Sequence, residues 1–331
     1  MTKATKTGGP QSGDGRSWIT PGGVIPGDAA QLMLQVQPES VALSVWSPPD
    51  NVGKDYESHL STADWEALLS NVIRGHGAAL KPGGFCAINI ADILCYPDES
   101  MPKIQAETIS RRRISLTREE VIHAMAELGT TDRRKIGAHL GVSEQTVDRR
   151  LKGNNIRGGK YQTQTRVRVV GGMIEHFASE AGLFMYDRRI WVKDPAWANS
   201  RWHTSSLRAI DEFEYIYILW KPGITKVDRT RLSDDEWRSW GSRGVWSFPS
   251  VRSNSDHEAK FPLELPTRLI RLLTDAGDVV LDPFAGSGTS LVAAARLGRV
   301  PMGFELDAQY AALSASALRA ELSRGEQSSM F

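Results

Sequence analysis

The stretch VVLDPFAGSGTSLVAAARLGRVPMGFELD, residues 279–307, restricts the possible folds of this chain more than any other. It reads as strand, glycine turn, helix, strand and terminal carboxylate. Val279–Leu281 is a short apolar run, Gly286 and Gly288 bracket a turn, Leu291–Leu297 has helical spacing, and Glu305 ends a second strand. Glycines let backbone approach a ligand without a Cβ in the way, and the first turn of the next helix offers N–H groups to a carboxylate or phosphate. An acid ending the following strand can accept hydrogen bonds from both ribose hydroxyls. The third glycine of the dinucleotide fingerprint is absent, because Leu291 stands in its place, and no Gly-Lys-Ser/Thr follows to make a phosphate loop. The expected ligand is a nucleoside without a polyphosphate.

Asp282-Pro283-Phe284-Ala285-Gly286-Ser287-Gly288-Thr289 resembles the S-adenosylmethionine-binding motif of the amino-methylating DNA methyltransferases, which modify N4 of cytosine or N6 of adenine. Two other segments extend the likeness. Val41–Trp46 is an apolar strand that runs into Ser47-Pro48-Pro49-Asp50. Two prolines there end the strand in a stiff extended loop, at the carboxyl edge where open α/β sheets place their sites. This segment is similar to the family's catalytic Ser/Asp/Asn-Pro-Pro-aromatic motif, and its Ser leans towards the cytosine-N4 members. His257–Leu265, HEAKFPLEL, is similar to the family's other cofactor motif, with Lys260 and above all Phe261 as the residues to pack on the cofactor. Pro266 is expected to start the helix that follows, at its first position.

The order of these motifs, catalytic first and glycine-rich last, matches the permuted beta group of the family. The resemblance covers residues 26–92 and 183–322 and implies a doubly wound, mostly parallel sheet of the S-adenosylmethionine-dependent methyltransferase type with one antiparallel strand. It also implies the cofactor S-adenosyl-L-methionine, held by Asp282, Pro283, Phe284, Gly286, Ser287, Gly288, Thr289, Glu305, Lys260 and Phe261. The substrate would be double-stranded DNA with the target base flipped out. The catalytic residues would be Ser47, Pro48, Pro49 and Asp50, with the Ser47 hydroxyl and Pro48 carbonyl accepting the amino hydrogens. Amino methylation needs no cysteine nucleophile, and neither Cys86 nor Cys95 sits in a motif. Asp50 departs from the pattern, since the family carries an aromatic there to stack on the base, a contact of about 1–3 kcal/mol. Tyr56 or Trp46 is expected to substitute; weak base capture and loss of activity are the alternatives.

Between Asp64 and Leu80 the apolar spacing predicts a helix, followed by a Lys81-Pro82-Gly83-Gly84 turn and a strand ending at Asp92, itself a candidate site carboxylate. From Thr117 the texture changes. Thr117 and Glu120 have capping-box spacing, and Arg133–Leu140, Gly141-Val142-Ser143 and Glu144–Lys152 read as helix, tight turn, helix. Residues 132–168 hold ten Lys/Arg against three acids in a chain whose totals are 40 Lys+Arg and 39 Asp+Glu. The segment resembles a DNA-binding helix-turn-helix with Gln145, Thr146, Arg149 and Arg150 on the exposed face. Six of the ten tryptophans fall between Asp194 and Asp256, where the family's sequence-reading region lies, making Trp197, Arg201, Trp202 and His203 base or phosphate candidates.

The resulting division is a disordered tail (1–20), a catalytic half (21–110), a helix-turn-helix insertion (111–168), a return to the sheet (169–193), a target-recognition region (194–256) and a cofactor half (257–325). Two cysteines in 331 residues make no disulfide framework, and no apolar run is long enough to span a bilayer. The expected setting is a bacterial or phage-encoded cytoplasmic protein at the nucleoid. It would act as a monomer or homodimer, with a cognate restriction endonuclease admitted as partner. Competing readings are an adenine-N6 enzyme, a DNA-binding protein on an inactive methyltransferase scaffold, and an enzyme acting on RNA or a small molecule.

Overall fold

The computed structural model describes residues 17–49, 61–94, 103–106, 115–151, 161–164, 167–195, 209, 211–251 and 261–328. In chain order its main elements are β1 (Gly23–Pro26), α1 (Ala29–Met33), β2 (Val41–Trp46), α2 (Thr62–Ala79), β3 (Leu80–Ile90), α3 (Arg118–Leu128), α4 (Arg133–His139), α5 (Glu144–Leu151), α6 (Gly171–Glu180), β4 (Phe184–Val192) and β5 (Phe213–Trp220). After these come β6 (Val245–Ser247), α7 (Glu264–Leu273), β7 (Val279–Asp282), α8 (Thr289–Arg296), β8 (Val300–Glu305) and α9 (Ala308–Ser328). The described residues within 1–93, 168–194 and 212–331 form one compact unit, and those within 94–167 and 195–211 a second.

The first unit is built on an eight-stranded sheet in the order β1-β8-β7-β2-β3-β5-β4-β6. β5 pairs antiparallel with both of its neighbours, and the other pairs are parallel. A parallel sheet covered on both faces needs continuous apolar strands, and every residue of VALSVW in β2 is buried. Period-2 alternation then sorts them. Leu43 and Val45 join Phe85, Ala87, Ile216, Ile218 and Val280 against Leu265, Leu269 and Ile270 of α7 and Ala293 and Ala294 of α8. Ser44 and Trp46 point the other way and meet His76 of α2.

Two local readings are corrected. Lys81–Gly84 does not end one element and start another. It bulges from the long strand β3, so that Val41 pairs with Leu80 but Leu43 already pairs with Phe85. The helix α7 begins at Glu264, not at Pro266, which is its third residue and still lies in the turn where no N–H is needed. Much of the tryptophan-rich stretch belongs to the sheet unit: Trp240 and Trp246 are buried in its core, and the Arg268 guanidinium lies 5.3 and 5.4 Å from their ring centroids. Packing is their role. Trp197, Arg201, Trp202 and His203 lie outside the described residues.

The second unit contains α3, α4 and α5, and a backbone ribbon pairing Lys103–Ala106 with Tyr161–Gln164. The Thr117/Glu120 capping box starts α3, Asp132 caps α4, and Ser143 accepts the Thr146 N–H at 3.3 Å to cap α5. Val121, Ala124, Ile136 and Val147 are the buried core, with Leu140, Val142 and Leu151 packed on it. On α5 Gln145 is exposed, while Thr146, Arg149 and Arg150 are half-buried rather than fully outward as their spacing suggests.

The βαβ unit at residues 279–305 solves its packing differently from the dinucleotide fingerprint. There the third glycine lets helix and strand approach closely. Here Leu291, fully buried, occupies the helix position, and the missing space is supplied from β8: a Cβ on Gly303 would lie 2.5 Å from Leu291 Cδ1 and 3.1 Å from Ala285 Cβ. Gly303→Ala should therefore lower the unfolding free energy by about 1–3 kcal/mol through overpacking. The check is urea unfolding, with a lower midpoint at an unchanged slope.

Candidate functional site

β2 and β7 are parallel neighbours, with Leu43 opposite Val280 and Ser44 opposite Leu281. Their carboxyl ends therefore emerge side by side, one into Ser47-Pro48-Pro49 and the other into Pro283-Phe284. The two ends touch: the Trp46 and Phe284 rings are 5.3 Å apart at 45°. Below them the Ser44 hydroxyl lies 3.0 Å from the Leu281 carbonyl. This is the crevice position where open α/β sheets bind ligands.

On the β7 side the glycine turn uses positive φ twice, at Gly286 (51°) and Gly288 (85°). A Cβ on Gly288 would also collide with Ser314 Oγ. Gly288 is the N-cap of α8 and supplies no side-chain cap, so the first-turn amides lack the acceptor that a capping side chain would give. Glu305 accepts from the Gly286 N–H at 2.8 Å and the Asp307 N–H at 2.9 Å. Both bonds come from backbone donors, and they hold the carboxylate against the turn with acceptor capacity to spare. Ser287, Thr289 and Leu263 line a neighbouring cleft of 420 Å³. Phe261 is half-buried against the same core, whereas Lys260 and His257 lie outside the described residues.

Asp282 does not face the crevice as an open ligand. It is 1% exposed; Oδ1 accepts the Phe284 N–H at 2.9 Å and Oδ2 bonds the Ser290 hydroxyl. It braces the turn to the helix. Burial pushes its carboxyl up to about 7, against the Ser290 and Phe284 hydrogen bonds.

On the β2 side Pro48 is buried, Ser47 and Pro49 are half-buried, and the Pro49 carbonyl accepts the indole N–H of Trp65 at 2.7 Å. Trp46 cannot stand in for the missing aromatic. It is fully buried, its N–H meets Cys86 Sγ at 3.2 Å, and its ring lies between Phe284 and His76, the latter stacked at 5.8 Å and 10°. Asp50 and Tyr56 lie outside the described residues. Asp92 accepts the Val170 N–H at 2.8 Å, which ties the chain after β3 to the residue before α6. Burial raises the Cys86 thiol to about 12, so it is no nucleophile at neutral pH.

His76 gives no signal in the sequence, where it is one residue of an apolar helix. Nδ1 lies 2.7 Å from the Val72 carbonyl, which can only accept, so Nδ1 carries the proton; Nε2 lies 2.8 Å from Ser44 Oγ and accepts from that hydroxyl, whose one hydrogen also faces the Leu281 carbonyl at 3.0 Å. Burial holds the imidazole down at about 4, hence neutral.

Fold and site together define an α/β domain of the cofactor-dependent methyltransferase type, with the catalytic-motif strand set beside the glycine-motif strand. The family described as DNA methylase (N6_N4_Mtase) matches residues 41–316. The Type II methyltransferase M.BglI of Bacillus subtilis is 54% identical over 288 residues, covering 87% of this chain and 83% of that protein. The chain belongs to the N6/N4 DNA methylase family. Among solved structures, TTHA0409 of Thermus thermophilus in complex with S-adenosyl-L-methionine superposes with a TM-score of 0.57 at 25% identity, over 91% of this chain and 94% of that one. PvuII DNA methyltransferase (cytosine-N4-specific) gives 0.56 at 18% identity over 93% of each chain, a likeness of fold. Among the described residues no helix is long and apolar enough to cross a membrane.

The two buried groups respond to pH with opposite sign. Asp282 titrates near 7 folded against 3.8 unfolded, so its stabilising term is present at low pH and is lost as pH rises through 7. His76 titrates near 4 folded against 6.5 unfolded, so its term is present above 6.5 and is lost as pH falls towards 4. Asp282→Asn keeps a neutral side chain at every pH. In urea unfolding it should match the unsubstituted chain near about pH 4 and exceed it by up to roughly 4 kcal/mol at about pH 8.

Proposed function

We propose that this chain transfers a methyl group from S-adenosyl-L-methionine to an exocyclic amino group of a base flipped out of double-stranded DNA, with cytosine N4 favoured, as the modifying partner of a type II restriction endonuclease. The observation that carries this reading is the side-by-side emergence of Ser47-Pro48-Pro49 and the glycine turn from adjacent parallel strands.

The residues present fit the cofactor. The uncapped first turn of α8, with Ser287 and Thr289, suits its carboxylate, and Glu305 suits its ribose hydroxyls. Gly286 and Gly288 leave room for its approach, Phe284 and Phe261 offer apolar faces, and Asp282 with Pro283 keeps the turn in shape. Bound there, the cofactor supplies an electrophilic methyl on a sulfonium with a good leaving group.

An exocyclic amino group is a weak nucleophile because its lone pair is delocalised into the ring. The Ser47 hydroxyl and the Pro48 carbonyl would accept hydrogen bonds from its two N–H groups, drawing the nitrogen towards a pyramidal, attacking geometry, and one of the two protons would pass to solvent as the N–C bond forms and the sulfonium S–C bond breaks. Proline carbonyls suit this work: they accept, they carry no competing N–H, and the rings fix their direction. The serine supports cytosine N4 over adenine N6; adenine N6 remains the second reading because the family includes both chemistries. For DNA, α5 offers Gln145, Thr146, Arg149 and Arg150, with Arg201 and Trp202 as further contacts from the sequence.

The direct test is methyl transfer from labelled S-adenosyl-L-methionine to mixed-sequence duplex DNA, followed by single-molecule sequencing of DNA from expressing cells. One modified amino group within a short fixed motif is expected; random labelling, or none, would defeat the reading. Ser47→Ala should lower the single-turnover rate about 10²-fold while cofactor affinity holds, since it removes a polar contact made in the transition state. Arg149→Ala should weaken DNA binding and flatten the log–log salt dependence by about 0.9, the slope of one phosphate contact. Filter binding across a salt series reads this out.

A further inference from the structure

The Ser47-Pro48-Pro49 segment has an anchoring problem set by its own composition. Prolines have no N–H, so neither Pro48 nor Pro49 can tie itself down by donating a hydrogen bond. Their rings fix φ, and Pro49 holds the ψ of Pro48 extended, but the Pro49 carbonyl still swings with its own ψ. The two prolines can be hydrogen-bonded only by donors reaching their carbonyls from elsewhere. Among the described residues one side-chain donor does this: the Trp65 indole N–H, 2.7 Å from the Pro49 carbonyl.

Trp65 is well placed to hold it rigidly. It is fully buried in the first turn of α2, behind the Ser61 cap whose hydroxyl accepts the Asp64 N–H at 3.1 Å, and its own N–H bonds the Ser61 carbonyl at 2.9 Å. Further along the same helix His76 grips β2 through Ser44 Oγ at 2.8 Å and stacks on Trp46. The helix thus holds the strand at one end and the carbonyl beyond it at the other. Pro48, being followed by a proline, is confined to extended ψ, so the two proline peptides turn as one stiff piece from the end of β2, and the bond to the Pro49 carbonyl anchors the far end of that piece.

We infer that Trp65 is a positioning residue for methyl transfer, its indole N–H setting the direction in which the Pro48 carbonyl meets the target amino group. The inference rests on the reading of Ser47-Pro48-Pro49 as the catalytic segment. A positioning error of about 1 Å can cost on the order of 10²-fold in rate while leaving binding intact.

The test compares Trp65→Phe with Trp191→Phe in the full chain. Both remove a tryptophan N–H donated to a backbone carbonyl in the sheet unit, but the Trp191 bond goes to Phe248, at 2.9 Å, away from the crevice. Single-turnover methyl transfer to duplex DNA and the dissociation constants for S-adenosyl-L-methionine and DNA are measured for each. Trp65→Phe should lose at least about tenfold in rate with both constants within about twofold, and Trp191→Phe should keep its rate. If Trp65→Phe fails to fold, 3-benzothienylalanine at position 65 removes the N–H at nearly constant shape. An undiminished rate without the N–H, cofactor affinity falling in step with rate, or an equal loss in Trp191→Phe would each overturn the inference. If the unsubstituted chain methylates while Trp65→Phe does so at full rate, only this inference fails. If the unsubstituted chain transfers no methyl at all, the catalytic reading fails and takes the inference with it.

Discussion

The parallel pairing of β2 with β7 is the constraint on which the rest of the molecule depends. It brings together residues 237 positions apart, as the bond between the Ser44 hydroxyl and the Leu281 carbonyl shows. A strand shifted by one residue would turn every side chain to the other face, so the register is held by both layers at once. Leu43 and Val45 are committed to the core under α7 and α8, and Ser44 and Trp46 to α2. The contact of Trp46 with Phe284 follows from that register, and with it the meeting of the two motif-bearing loops.

Much of this is legible in the sequence because it is local chemistry. Strand, glycine turn, helix and strand at 279–305 carry their own punctuation, as do the two prolines that stop β2 and the capping residues Thr117, Asp132 and Ser143. What stays hidden depends on distant partners. Trp46 stands next to Ser47-Pro48-Pro49, which suggests a base-stacking substitute; its ring is covered by His76 and Phe284, from other parts of the chain. Leu291 reads as a missing glycine, although the space it needs comes from Gly303 one strand later. Trp65 reads as one more apolar residue on a helix face, and nothing in its spacing reveals which carbonyl its N–H will find. The Lys-Pro-Gly-Gly turn signal is sound as chemistry, yet the chain resumes the same strand after it.

Counting charges along a segment overstates how many are available. Arg133 pairs with Asp148 at 2.6 Å and Arg134 with Glu144 at 3.1 Å, and Arg168 at the far end of the basic run is bonded to Glu66 of α2. Arg149 leans on Gln145 at 3.5 Å, a weak contact to a neutral group. The basic excess is therefore partly structural, fastening α5 to α4. Exposed ion pairs of this kind stabilise by less than about 1 kcal/mol each, and they orient the helices as much as they strengthen them.

The strand order has a consequence for how the molecule is made. β7 fills the slot between β2 and β8, and among the described residues β1 pairs with β8, so early strands must wait for partners such as Leu281, made 237 residues after Ser44. Until residues 279–305 emerge, β2 presents a bare apolar edge, the kind that recruits stray strands from other chains. The same order withholds the completed crevice until the strand, turn and helix after residue 279 have been made, so a nascent chain cut short of them lacks one wall of it.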